Sequence, residues 1–302
     1  MRSIVSYPER GTYGRNDYRG NCSGLLIKDL IGQYKLKSLS DFMVGSGTTE
    51  DVVKDLGLRG DFADLNRGYD MLSMDIPNRA ENLFWHPPYH DIIVYSGKQY
   101  DTRSVERATG LPVDTILADD LSRCSSWEDF VKKMNHCCVK QFTALEKGGR
   151  MFILVGDIKR HGKLYSMLCD IAKPGTLEQV IIKAQHNCWS DRQTYSSQNF
   201  VPIEHEYLLV LRKDAGLIVP VAFGKTDELD IRTFGDISWR DLVAAVMEEN
   251  GGSMSLAELY DSLKDSKKSR KNPHWQEKIR QTVQNVKNFI RTERGCYTLA
   301  TA

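Results

Sequence analysis

The sequence predicts an α/β protein, a doubly wound sheet with helices on both faces followed by a small helical domain. Three observations predict it. Short apolar runs alternate with helical patterns up to about Phe223. A length of 302 residues suits one large α/β domain with an appendage. Hydrophobic content of 41% beside 27% charged residues belongs to an ordinary globular chain. The longest apolar run, about that of "MFILVG", falls far short of the roughly 20 residues of a membrane span. "MRSIVSYPERG" has no signal-peptide core. A cytoplasmic protein with no membrane partner is therefore expected.

The strands expected, in order, are "LSDFMV", "LRGDFAD", "ENLFWH", "RMFILVG", "QVIIKAQ" and "EYLLVLRK". The last two flank a polar stretch, "HNCWSDRQTYSSQNFVPIEH", as an antiparallel pair at a sheet edge with a long loop would. "EDFVKKMNHCCVKQFTALEKGG" reads as a helix. The seven cysteines form no CxxC pair and read as reduced core thiols. His136, Cys137, Cys138, His186 and Cys188 lack metal-ligand spacing, so no metal is expected.

After "LIVPVAF", the polar, glycine-flanked "GKTDELDIRTFGD" reads as a linker dividing residues 1–225 from 236–302. "SWRDLVAAVMEEN" is an amphipathic helix. Ser255 caps a second, "LAELYDSL". A third follows Pro273, with Ile279, Val283, Val286 and Ile290 at helical spacing. "FIRTERGCYTLA" then reads as a hairpin, completing a winged helix. Lys278, Arg280, Lys287 and Arg291 lie off the apolar face of the third helix. The basic loop before it holds Lys267, Lys268, Arg270, Lys271 and Trp275. Net charge is only +1, yet Lys264 to Arg294 holds ten Lys or Arg against three acids, a local +7 that leaves −6 elsewhere. Such asymmetry suits contact with double-stranded DNA, and equally a solvated basic helix.

The chemistry gathers in the first domain. "DFMVGSGTTEDVV" follows a strand and opens a helix, so Gly45 and Gly47 allow a nucleotide-like ligand close to the backbone. Asp64 ends the next strand seventeen residues after Gly47, where acidic side chains grip ribose hydroxyls in such folds. The turn has no phosphate-binding basic residue and no GxxxxGK. A ligand with ribose and adenine but no phosphate, S-adenosylmethionine, fits better than a dinucleotide or ATP. The third strand ends in "HPPYH", at the carboxyl edge where open α/β sheets keep their sites.

These segments together resemble the amino-group DNA methyltransferases. "DFMVGSGTT" resembles their DPFxGSGTT cofactor motif, and "HPPY" their D/N/S-PPY catalytic motif. "YRGNCSGLLIKDLI", "GYDML" and "EHEYLLVLRK" resemble further motifs in the same order, from Tyr18 to Lys213. The resemblance implies a class I, Rossmann-like S-adenosylmethionine-dependent methyltransferase sheet. Asp41, Phe42, Gly45, Gly47, Thr48, Asp64 and Asp70 would hold the cofactor, with Tyr18 to Asn21 closing over it. His86, Pro87, Pro88 and Tyr89 would form the catalytic motif. Tyr89 would stack on a flipped-out base, and the Pro87 carbonyl would accept one amino hydrogen.

His86 stands where the family has Asp, Asn or Ser. Only a neutral imidazole with a free ring nitrogen accepts a hydrogen bond, so activity should fall as pH drops through the imidazole pKa, about 6.5 if unperturbed. Two readings follow: an active enzyme, favoured by the intact cofactor motif, or a core retained for binding. Trp85 reads as core. His90 and Asp91 either line the base pocket or cap the following segment. Lys98, Arg103 and Arg107 lie in a loop beside the motif.

"HWQEKIRQTVQNVKNFIRTERGCYTLA" is similar to winged-helix modules of some restriction endonucleases. The implied function is DNA adenine N6-methylation with short or relaxed sequence specificity. Cytosine N4, RNA, a protein glutamine, or a non-catalytic DNA-binding regulator are the alternatives. An orphan phage enzyme and the modification half of a restriction system, with an endonuclease partner, both fit. Oligomeric state stays open.

Overall fold

The computed structural model describes residues 1–186, 201–223 and 225–300. Period-two alternation accounts for the central sheet. In the strand Leu145–Val155, Met151, Ile153 and Val155 enter one hydrophobic cluster while Phe152 and Leu154 enter the other, because successive side chains leave a strand on opposite faces. The helix Trp127–Ala144, capped by Ser126, covers the first face with Phe130, Met134 and Cys137. Gly24–Tyr34 and Thr48–Asp55 cover the second with Leu26, Leu30 and Val52. Burial on both faces explains why these strands read as near-continuous apolar runs.

The spatial strand order is Ile4–Ser6, Thr176–Ala184, His205–Arg212, Leu145–Val155, Ala80–Trp85. His205–Arg212 runs antiparallel to both neighbours, and the outer pairs are parallel. The two first expected strands are shorter than the sequence suggests. Residues 38–41 and 59–62 extend the sheet beyond Ala80–Trp85 only through isolated parallel bridges, Ser40↔Leu83, Asp41↔Phe62 and Ser38↔Arg59. The carboxylates of Asp41 and Asp64 accept from the backbone N–H two residues on, at 3.0 and 2.9 Å. Such Asx turns end a strand. From residues 38–41 the chain runs outward to 59–62, then returns to the other side as Ala80–Trp85. The crevice at that switch point is where doubly wound sheets bind ligands.

The expected linker is a correction. Ile218–Phe223 and Lys225–Asp230 pair antiparallel, with Lys173–Pro174 on the far side. A polar edge strand has no apolar alternation to reveal it; Val219 and Val221 anchor the hairpin in the core, with Leu229 packed against it. Residues 236–302 pack against the sheet. Leu242 to Met247 of the helix Trp239–Glu249 are all buried, in a cluster that runs from Phe142 and Met151 to Leu259 and Ile279. Arg240 donates to the carbonyls of Ile76 and Pro77. Glu248 meets Arg79 and Lys213.

The helices Leu256–Leu263 and Trp275–Val283 follow, the first closed by a Ser255/Glu258 capping box. Phe289–Glu293 and Cys296–Leu299 form the hairpin, joined by Ser253–Ser255. The third helix ends at Val283, so Val286, 82% exposed, and Ile290, 51% exposed, do not share its buried face. Phe289 closes that core instead. Of the cysteines described, Cys22, Cys124, Cys137 and Cys138 are buried, whereas Cys169 is exposed and Cys296 half-buried, which corrects the all-core reading. Cys188 and most of the loop from 187 to 204 lie outside the described residues. Among the described residues no helix is long and apolar enough to cross a membrane, and no group of three His, Cys, Asp or Glu is arranged to hold a metal.

Candidate functional site

The switch-point crevice is a cleft, about 860 Å³ with the solvent-open space at its entrance included, that gathers Tyr18, Asn21, Asp41, Phe42, Gly45, Thr48, Asp64 and Asp70 with His86 and Pro88. Its floor is the glycine turn. Gly45 and Gly47 have φ of +54° and +92°, conformations that cost a residue with a Cβ. Gly47 caps the helix Thr48–Asp55 without lining the cleft. The turn is held by Asp64, whose Oδ2 accepts from the Gly45 N–H at 2.8 Å. Burial raises the Asp64 carboxyl, opposed by these backbone donors. Each of its oxygens keeps a second lone pair for a ligand.

Asp41, 3% exposed, accepts from Thr49 Oγ1 at 2.6 Å and from the Met43 N–H. Burial pushes its carboxyl up to about 7, against these two bonds. At the opposite end Asp70 accepts from the Leu72 N–H and Ser73 Oγ. Lys140, buried in the helix Trp127–Ala144, steadies this loop by donating to the Met71 carbonyl at 2.8 Å. Tyr18 stacks on Tyr95 at 5.4 Å over the mouth.

Sequence reasoning missed Tyr69, Tyr95, Tyr100, Asp119, Asp120 and Cys137, which also line the cleft. Asp120 is fully engaged, taking two bonds each from Ser96 and Ser122, and so fixes the loop that bears Tyr95 and Tyr100. The cleft thus presents Asp41, Asp64, Asp70, Asp119 and Asp120, while no Lys or Arg is among its lining residues. Such a field disfavours phosphate and favours a cation.

The acceptor side differs from expectation in one respect. His86 and Pro88 line the cleft, but Pro87 and Tyr89 do not. Tyr89 packs its ring against Gly156 and donates its hydroxyl to Glu206 Oε1 at 2.6 Å. Burial and the Glu206 charge hold that phenol well above its ordinary range. Stacking on a base would need this ring to turn away from Gly156. Glu206 Oε2 in turn accepts from Lys183 Nζ at 2.6 Å. Burial opposes ionisation of Glu206, but the neighbouring His86 and Lys183 outweigh it and hold the carboxyl well below the usual range. Neither Glu206 nor Lys183 was singled out from sequence, although "EHEY" was the available signal.

Trp85 is fully buried, as expected. His90 sits at φ +47° and donates through Nε2 to the Cys124 carbonyl at 3.1 Å. Asp91 pairs with Arg160 at 2.7 Å. Neither lines the cleft, so both serve the turn after the motif.

Of the residues expected to meet DNA, Lys267, Arg270, Lys271, Lys278, Arg280 and Arg291 are exposed. Arg280 is shared with Glu277 at 3.3 Å and Arg270 with Asp265 at 3.6 Å. Two are corrected. Lys268 donates to the Ile237 carbonyl at 2.6 Å and lies over the Trp239 ring, and Trp275 packs edge-on against Tyr260 at 5.7 Å. Both therefore hold the domain together. Lys98, Arg103 and Arg107 are exposed.

The chain matches no family model and no curated protein. Among solved structures it is similar to the glycopeptide N-methyltransferase MtfA complexed with S-adenosylmethionine, at 9% identity over 70% of this chain and 78% of that one, with a TM-score of 0.26. It is also similar to CalS10, an amino pentose methyltransferase from Micromonospora echinaspora, at 9% identity over 70% and 75%, with a TM-score of 0.23.

Proposed function

We propose that the protein transfers a methyl group from S-adenosylmethionine to the exocyclic amino group of a base in duplex DNA, adenine N6 in the first place. The observation that carries this is the cleft itself, lined by five aspartates without a Lys or Arg and bordered by His86 and Pro88. A sulfonium with an ammonium group and no phosphate suits that lining, whereas a dinucleotide or ATP would bring anionic groups against carboxylates.

Tyr18, Asn21 and Asp41 would hold the methionine end, Asp64 the ribose hydroxyls, and Asp70 the adenine. When bound, the cofactor supplies an electrophilic methyl group. An exocyclic amino nitrogen is a poor nucleophile, since its lone pair is delocalised into the ring. His86, which borders the cleft, accepts one of its hydrogens, which favours the tetrahedral geometry required for attack. The exposed Lys267, Arg270, Lys271, Lys278, Arg280 and Arg291 would contact phosphates, making DNA binding steeply salt-dependent.

The test is methyl transfer from labelled cofactor to unmethylated duplex DNA, with digested nucleosides resolved by mass spectrometry, for wild type and His86→Ala. N6-methyladenine that largely vanishes in the variant supports the reading. N4-methylcytosine would move the substrate to cytosine. Absence of any methylated base while cofactor and DNA still bind would make the protein a regulator with an inactive core.

A further inference from the structure

We infer that Tyr89 and Glu206, anchored by Lys183, are positioning residues that fix His86 in the tautomer with its proton on Nε2, leaving Nδ1 as the acceptor nitrogen. The catalytic meaning of this rests on the methyl-transfer reading above; the geometry stands apart from it.

Counting protons along the chain of contacts gives the result. Lys183 and Glu206 are directly opposed across the antiparallel pair Thr176–Ala184 and His205–Arg212, with Nζ 2.6 Å from Oε2. A carboxyl held against an ammonium in this way is ionised and donates nothing. Its other oxygen lies 2.6 Å from the Tyr89 hydroxyl oxygen. Two oxygens that close share a hydrogen, and the only one present is the phenol's. The Tyr89 oxygen is then left as an acceptor toward His86 Nε2, 3.1 Å away. Nε2 must therefore carry hydrogen. A neutral imidazole has one N–H, so Nδ1 is bare, and it has no hydrogen-bond partner among the described residues.

The interposed phenol matters electrostatically. His86 Nε2 stands 3.8 Å from Glu206 Oε1, beyond hydrogen-bond reach. Direct contact with that carboxylate would favour the imidazolium, in which both nitrogens are donors and neither accepts. Tyr89 transmits the orientation and keeps the carboxylate out of hydrogen-bond contact with the ring. Among the described residues, the other titratable groups facing this chain are Cys22 and Tyr95, both raised by burial and neutral.

The experiment is nitrogen-15 NMR of histidine-labelled full-length protein, with His86 assigned by loss of its signals in His86→Asn. Wild type is expected to show protonated Nε2 and bare Nδ1 at pH 8. In Tyr89→Phe, Glu206 acts on the ring directly, and the His86 titration midpoint should rise by at least one pH unit. In Glu206→Gln, which keeps an acceptor for Tyr89 without the charge, no such rise should occur. A wild type protonated at Nδ1, or a Tyr89→Phe midpoint equal to wild type in a folded variant, overturns the inference. Should Tyr89→Phe not fold, the wild-type tautomer decides alone. The spectra need no substrate: the expected tautomer in a protein that methylates nothing keeps this inference and removes the function, and the opposite tautomer in an active enzyme does the reverse.

Discussion

An alanine at position 156 would place its methyl carbon 2.7 Å from Tyr89 Cε2 and 3.3 Å from Cζ. The backbone of Gly156 is not in the left-handed region, so the clash, rather than strain, decides the outcome. To regain an ordinary carbon separation of about 3.5–4 Å, the ring must retreat by about 1 Å. The Tyr89 hydroxyl is held at 2.6 Å by Glu206 and 3.1 Å by His86. A retreat of that size breaks at least one of these bonds. Crowding costs about 1–3 kcal/mol and a lost bond to a charged group about 1.5–3 kcal/mol; partial relaxation makes a total of about 2–4 kcal/mol the expectation. Urea denaturation measures it. On the rate, a misplacement of about 1 Å in the group that orients the acceptor costs roughly 100-fold, read in single-turnover methyl transfer. The same substitution in a Tyr89→Ala background should be nearly silent, because nothing remains to clash. A Gly156→Ala protein with wild-type stability and rate would show that the Tyr89 ring is not seated against Gly156.

Two other outcomes follow from buried charge. Asp41, raised by burial to about 7 from 3.8, contributes its stability fully below pH 3.8 and loses it as pH rises through about 7. A cationic ligand selects its ionised form, so affinity for S-adenosylmethionine should climb roughly tenfold from pH 6 to pH 8. Calorimetry in buffers of different ionisation enthalpy should find proton release, and Asp41→Asn should flatten the curve; a pH-independent wild type speaks against it. Glu248→Ala removes the carboxylate that faces Arg79 and the fully buried Lys213, whose ammonium burial has already pushed down to about 8, and leaves Lys213 only the carbonyls of Thr143 and Leu145. Stranding a buried charge costs about 3–5 kcal/mol, visible as a lower urea midpoint; an unchanged midpoint would mean that the C-terminal helices are not locked to the sheet through this residue.

Sequence alone determined the features that rest on local chemistry. Apolar runs marked the central strands, because burial on both faces leaves no polar side to disguise them. The glycine turn and Asp64 announced the ligand crevice, since positive φ and a strand-ending carboxylate are written in neighbouring residues. The tertiary structure alone decided what depends on partners distant in the chain. The polar strand Lys225–Asp230 looked like a linker because its place is set by backbone pairing with Ile218–Phe223, which no side-chain pattern announces. Lys268 and Trp275 looked free to meet DNA until Trp239 and Tyr260 were found beside them. Asp119 and Asp120 reach the cleft at the end of the short helix Val113–Asp119, whose placement no local pattern announces. Lys183 and Glu206 acquire meaning only from strand register, where a slip of one residue would leave them on opposite faces of the sheet. Short-range stereochemistry can be read along the chain; the proton that decides which nitrogen of His86 accepts is set across it.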